Sequence, residues 1–246
     1  MPSAAPEYSI VVPAYNEEAL LPRTLGRLRE AMATIPLRGE LVVCDNNSTD
    51  ATAAVARSEG ASVVFEPVNQ ISRARNTGAR AARGRFLVFV DADTLVPAPL
   101  LGAALQRLSS GTACGGGAAV IMEGIEGALS ESLVTLWNTL SRARRLAAGS
   151  FVYATRQAFE AVGGFSEKVY ASEEIWLSRA LKGYGRKKDL AFEILQDHPV
   201  VTSGRKARWY PMPVLLSVAL LILLMPLLLR SRRFCWLWYH RPGASG

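Results

Sequence analysis

Asp91 and Asp93 are the first residues in this chain whose types and spacing suggest chemistry. They follow Phe86-Leu87-Val88-Phe89-Val90, an apolar β-rich run that reads as a fully buried central strand. Two acids at i and i+2 beyond such a strand point the same way while the backbone stays extended. They would then offer oxygens to a hard divalent cation, and the cation would neutralise a diphosphate. The same four residues, Asp-Ala-Asp-Thr, also fit a strand-ending turn with Asp93 capping the helix after Pro97. A second acidic pair, Glu173-Glu174, opens a later helix with Ser172 at its cap. A helix dipole favours acids in a first turn, so that pair also has a purely structural explanation.

Stepping along the chain shows what must position these acids. Tyr8 to Val12 reads as a strand stopped by Pro13, and Asn16 as the cap of a helix running to about Met32. Glu40 to Asp45 and Ser62 to Phe65 are further strands, with a helix between them that reaches about Glu59. Ile71 to Arg83 is an Ala/Arg-rich helix with Gly84 as its C′ residue. Strands alternating with helices imply βαβ units and a mixed, mainly parallel sheet. Residues 8 to 96 therefore read as a Rossmann-like nucleotide-binding half. Neither G-x-G-x-x-G nor G-x-x-x-x-G-K-[ST] follows the first strand, which argues against a dinucleotide dehydrogenase and a P-loop NTPase.

Residues 97 to 205 continue with a helix from about Pro99 to Ser109 and a glycine-rich strand around Gly115-Gly116-Gly117. Those glycines mark close approach by a backbone or by a ligand. Helices over 128–146 and 156–162 flank a strand at Phe151 to Thr155.

The chain of 246 residues is half hydrophobic and carries a net charge of +7. That excess suits an anionic membrane or phosphorylated ligands. Nucleic acid is the competing partner, but no zinc-finger spacing, basic helix or aromatic RNA-binding signature is present. Cys44, Cys114 and Cys235 are too widely spaced for a disulfide framework or a metal knuckle. The N-terminal residues lack the basic and apolar regions of a signal peptide, so the catalytic part is expected in the cytosol.

Residues 206 to 246 differ in kind. Val214 to Leu229 carries no charge and would span about 24 Å as a helix. Counted from Trp209 the span is about 31 Å, near the ~30 Å hydrocarbon thickness. Trp209 and Tyr210 precede it, and Arg230, Arg232, Arg233, Trp236 and Trp238 follow, as interfacial anchors would. A C-terminal membrane helix at about 212–229 is expected, either crossing the bilayer or lying in it, with Pro226 as a possible kink.

Ile10-Val11-Val12-Pro13-Ala14-Tyr15-Asn16-Glu17-Glu18, Val43-Cys44-Asp45-Asn46-Asn47-Ser48-Thr49-Asp50, Ala74-Arg75-Asn76-Thr77-Gly78 and Asp91-Ala92-Asp93 together resemble the family 2 glycosyltransferases of GT-A fold. Gly163-Gly164-Phe165 and Glu173-Glu174 continue the resemblance in order. It covers about residues 8 to 205, as a nucleotide-sugar half (8–96) and an acceptor half (97–205). The resemblance implies an inverting enzyme that moves a sugar from a nucleotide-diphosphate sugar, a UDP-sugar by preference, to a lipid-linked or glycan acceptor. It implies that Asp45 contacts the base, with Pro13, Ala14 and Tyr15 lining its pocket and Glu17 approaching the ribose or base. Arg75 would lie near base and phosphates. Asp91 and Asp93 would hold Mg2+ or Mn2+, with His198 as a further ligand or a structural residue. Glu174 would be the catalytic base and Glu173 its alternate, in place of the family's usual Glu-Asp. Arg205 would either clamp phosphate or sit among headgroups. The tail suggests a cell-membrane enzyme with its catalytic domain on the cytoplasmic side and a lipid or polyprenyl-phosphate acceptor. The rival readings are a nucleotidyltransferase, which lacks its basic phosphate loop here, and a non-catalytic nucleotide-sugar-binding protein.

Overall fold

The computed structural model describes residues 5–124, 127–205, 209, 214, 217 and 226–239. One sheet of eight strands runs through both halves. Its strands are β1 (Tyr8–Ala14), β2 (Gly39–Asp45), β3 (Ser62–Phe65), β4 (Phe86–Val90), β5 (Thr94–Leu95), β6 (Ala113–Glu123), β7 (Phe151–Thr155) and β8 (Ala191–Ser203). They lie in the order β3-β2-β1-β4-β7-β6-β8-β5. β3, β2, β1 and β4 are parallel, β7 is antiparallel to both β4 and β6, and β8 runs parallel to β6.

β4 is the central strand, and all five of its residues are buried. Phe86, Val88 and Val90 join the core on one face, under α1 (Leu21–Ala33) and α4 (Ala98–Ser109). Leu87 and Phe89 join the other, under α3 (Ile71–Ala81), α6 (Arg156–Ala161) and α7 (Glu173–Lys188). Alternation across one buried strand thus builds a three-layer α/β/α body. α2 (Thr52–Ser58) covers the β3 end, and α5 (Ala128–Arg144) lies beside β6.

Several local expectations need correction. β1 runs through Pro13 to Ala14, because Pro13 lies past the last β1–β4 pair, Val11↔Phe89, where one side of the ladder is already open. Asn16 does not cap α1. It stands at φ 50°, and its N–H donates to Ser48 Oγ (3.0 Å). The helix instead starts at Leu21 with Pro22 in its first turn, where a missing N–H costs nothing. Ser172 holds the cap position of α7 in a left-handed conformation, without a side-chain cap. Gly84 is not a left-handed C′ residue. A Cβ there would strike the backbone of Tyr8, and its N–H donates to Ser9 Oγ (2.8 Å). The glycines of β6 serve backbone approach: a Cβ on Gly115 would lie 2.6 Å from Tyr153 O, and one on Gly117 2.6 Å from Ala147 Cβ.

β8 was absent from the pattern read along the sequence. Its register against β6 slips between Ala118↔Leu195 and Val120↔Val200, so Gln196 to Pro199 bulge out of the ladder. The bulge accommodates a proline and erases the alternation that would mark a strand.

Most of the expected membrane helix at about 212–229 lies outside the described residues. Its last described part, Pro226–Arg230, is a 3-10 turn, followed by α8 (Trp236–Tyr239). No helix among the described residues is long and apolar enough to cross a membrane. This segment returns to the loop before α7: Tyr170 N–H donates to Leu229 O (2.7 Å), and Tyr239 Oη donates to Tyr170 O (2.9 Å). Leu229 and Cys235 pack there with Val169 and Ala171.

Candidate active site

Parallel strands end on the same side, so the carboxyl ends of β1, β2 and β4 form one rim. Ala14 pairs with Asp45 at that rim, and Tyr15 leaves β1 next to them. Asp45 is buried, and one carboxylate oxygen accepts from Ser48 N–H (3.0 Å), which shapes the Asn46–Asp50 turn. Asp91 and Asp93 follow β4, and Asp93 O accepts from Ser203 N–H (3.2 Å) at the end of β8. The rim therefore collects Pro13, Ala14, Tyr15, Asp45, Asp91 and Asp93 from three adjacent strands.

Two arginines tie this rim to the rest of the molecule. Arg75, on α3, is only 2% exposed. Its guanidinium donates to Glu173 Oε1 (2.6 Å), Asp91 Oδ1 (2.7 Å) and Gly149 O (2.9 Å), and lies 5.0 Å from the centre of the Phe165 ring. Burial opposes its charge, but Asp91, Glu173 and Glu174 outweigh burial and strengthen it. Arg205, just beyond β8, donates to both oxygens of Glu17, 2.7 Å on one side, and lies 3.2 Å from Asp93 Oδ2. Glu17 is buried, and its carboxylate is taken up by Arg205 rather than left facing the rim.

Glu173 is buried against Arg75, whereas Glu174 is partly open. Burial first, and then the charge of Glu173, push Glu174 up to about 8, with Arg75 opposing. A carboxyl raised in this way accepts a proton readily near neutral pH.

The donor set suits a hard cation. Asp91 and Asp93 supply carboxylate oxygens, the ligands that Mg2+ and Mn2+ prefer, and both acids are already held by cationic groups. His198 is not brought to them. It is exposed on the β8 bulge, and no group of three acidic, His or Cys side chains suited to a metal occurs among the described residues.

Asn76 is a positioning residue that single-residue reasoning does not single out. Its amide donates to Phe165 O (2.9 Å) and Glu167 Oε1 (3.0 Å), and its oxygen accepts from Phe165 N–H (2.9 Å). It clamps the Gly163-Gly164-Phe165 loop that leads to Glu173 and Glu174. The available signal was its place beside Arg75 in Ala-Arg-Asn-Thr-Gly.

Known proteins resemble this chain in sequence and in fold. A validoxylamine A glucosyltransferase from Streptomyces hygroscopicus subsp. limoneus is 41% identical over 99 residues, 38% of this chain and 22% of that protein. The undecaprenyl-phosphate 4-deoxy-4-formamido-L-arabinose transferase of Pseudomonas paraeruginosa is 33% identical over 115 residues, 42% of this chain and 32% of that protein. The chain thus spans a third or less of these relatives' own length. In structure, it is similar to glucosyl-3-phosphoglycerate synthase from Mycobacterium tuberculosis, solved with Mn2+, UDP and glucosyl-3-phosphoglycerate. That match has a TM-score of 0.58 at 21% identity and covers 89% of this chain and 80% of the other. Residues 9–162, more than half of the 246, match the model of glycosyl transferase family 2, and the chain belongs to that family.

Proposed function

We propose that the chain is a metal-dependent, inverting glycosyltransferase that moves a sugar from a UDP-sugar to a lipid-linked acceptor at a membrane, a polyprenyl phosphate by preference. The observation that carries the reading is the shared rim: Asp45 for the base, Asp91 and Asp93 for the diphosphate, and Glu174 tied to that rim through Arg75 and Glu173. The prenyl-phosphate relative supports a lipid acceptor, and the M. tuberculosis structure supports UDP and Mn2+.

In this reading Asp45 accepts from the base while Pro13, Ala14 and Tyr15 line its pocket. Asp91 and Asp93 would hold a divalent cation, which would supply charge neutralisation for a departing diphosphate. Glu174 faces the acceptor. A hydroxyl acceptor loses its proton to Glu174 as its oxygen attacks the anomeric carbon and the glycosyl–phosphate bond breaks. A phosphate acceptor arrives already ionised and needs no strong base. Glu173 stays on Arg75 and fixes the start of α7. The catalytic domain works at the cytoplasmic face of the cell membrane, with residues 206–246 as a membrane-associated segment.

The test is nucleotide release from UDP-, GDP- and dTDP-sugars by purified protein with lipid extract, in Mn2+ and then in EDTA. The expected result is metal-dependent release of UDP, reduced about a thousandfold in Asp93→Ala with unchanged melting. Release that persists in EDTA would refute the metal, and GDP release alone would refute the uridine donor. No release from any donor would leave only nucleotide-sugar binding.

A further inference from the structure

Helix α5 carries two different faces. Its inner face serves β6, which loses its partner β7 after Gly117 and would otherwise show an open edge. The Asn138 side chain closes that edge: its oxygen accepts from Val120 N–H (3.0 Å) and its amide donates to Val120 O (2.8 Å). Ser141 is buried on the same side and donates to Leu146 O (2.6 Å).

The outer face is apolar as well. At roughly 100° per residue, Leu136 and Leu140 lie on the side away from Asn138 and Ser141, and the half-buried Leu133 and Trp137 continue the apolar arc toward Ser141. Leu136 is 63% exposed and Leu140 41%. Scattered exposed leucines need no explanation, but a stripe at helical spacing does.

Cations are concentrated where this stripe ends. Lys182 Nζ donates to Arg144 O (2.7 Å), which joins the last turn of α5 to α7. Burial, and then Arg179, Arg145, Arg186 and Arg144 around it, make its charge harder to keep. On α7, Trp176, Arg179, Lys182 and Arg186 follow one another at helical spacing, and Trp176 is 42% exposed. None of these five cations is ion-paired with a carboxylate among the described residues.

We propose that the outer face of α5, with the Arg144–Arg145–Arg179–Lys182–Arg186 cluster, is a docking surface for an anionic membrane, independent of the C-terminal segment. An apolar stripe alone would suit any greasy partner. Five cations without internal counterions select one that brings a dense layer of negative charge, and lipid headgroups over acyl chains supply both features. Docking also has a consequence for the site. The chain leaves α5 into Ala147–Ser150, where Gly149 O holds Arg75 and Ser150 O accepts from Asp91 N–H. The docked helix would thus be joined to the acidic rim through Ala147–Ser150. The docking surface stands whether or not the donor chemistry proposed above is right.

The test uses the full chain. Cys44, Cys114 and Cys235 are buried, so a cysteine introduced as Leu140→Cys takes an environment-sensitive fluorophore selectively. Vesicles of phosphatidylglycerol and phosphatidylcholine should shift the probe to the blue, and spin-labelled acyl chains should quench it. Pure phosphatidylcholine should give a response several-fold weaker. The same probe at Ser58→Cys, on α2 at the far end of the sheet, should not respond. Arg179→Glu with Arg186→Glu should weaken the Leu140→Cys response about tenfold or more. If the labelled Leu140→Cys chain melts early, Leu136→Cys replaces it. A probe already blue-shifted without lipid and indifferent to vesicles would overturn the proposal, because the C-terminal segment or a second copy then covers α5. An equal response at Ser58→Cys, or none at either site, would overturn it too.

Discussion

Arg75 and Arg205 each bridge two carboxylates, one pair on either side of the Asp-Ala-Asp turn. Arg75, itself buried, joins the buried Glu173 to the partly exposed Asp91, and adds a carbonyl and an aromatic ring to its contacts. Arg205 joins Asp93 to Glu17 nearer the surface, and its guanidinium lies 5.4 Å from the centre of the Trp209 ring. The first bridge links two elements of the folded core, α3 and α7, across the sheet end. The second links the rim to the start of the C-terminal segment. The contrast suggests different work for two similar ion pairs, a fixed bridge at Arg75 and a contact at Arg205 that a ligand could replace.

The largest effect should come from cutting the buried bridge. Arg75→Met leaves Glu173 buried without its cation, and breaking a buried pair from one side costs about 3–5 kcal/mol. Chemical denaturation should show a loss of that size, whereas Arg205→Gln should lose less, because Arg205 is 15% exposed against 2% for Arg75 and a glutamine can still donate to Glu17. Equal losses would erase the distinction between the two arginines.

A smaller effect should appear at Glu174, the acid that Arg75 only partly compensates. Its folded pKa is raised from an ordinary value of 4.5 to about 8, so the folded state binds an extra proton between those limits. Stability then falls as pH rises through that window. Glu174→Gln removes the penalty. It should stabilise the protein by about 1–3 kcal/mol at pH 8 and by nothing below pH 4, read from melting at both values. A gain that is the same at both pH values would mean that Glu174 is not a strained carboxyl. Turnover of the same variant sharpens the function: persistence of activity favours a phosphate acceptor, and its loss favours a hydroxyl.

Much of this arrangement is legible in the amino-acid order, for a physical reason. β1 to β4 and their helices are local βαβ units with strong periodicity, so their positions, and the acids at their ends, follow from pattern alone. The family resemblance adds the order of motifs. What was not legible depends on distant pairing. β8 hides behind its bulge, and its partner β6 lies some 80 residues earlier in the chain. Nothing in the neighbourhood of Arg75 announces its bond to Glu173, which is 98 residues away. Glu17 and Arg205 are 188 residues apart, and no local rule joins them. The exposed position of His198 on the β8 bulge was likewise not legible, since its motif Asp-His-Pro carries no information about which side of a bulge it occupies.

The smallest predicted effect is the most discriminating for Arg205. Its guanidinium sits on Asp93, one of the two acids assigned to the cation, so arginine and divalent ion compete for one carboxylate. A contact worth on the order of 1 kcal/mol would set the scale of that competition at about three- to tenfold in affinity. Arg205→Gln should therefore bind Mn2+ more tightly than the wild type when no donor is present, as read by the free-Mn2+ signal in electron paramagnetic resonance. With a nucleoside diphosphate bound the order should reverse, because the wild-type arginine can leave Asp93 for the ligand's negative charge while glutamine cannot. Tighter binding in both conditions would make Arg205 a competitor only. Unchanged binding in both would mean that the Asp93 contact has no hold on the site, and that Arg205 serves Glu17 as Arg75 serves Glu173.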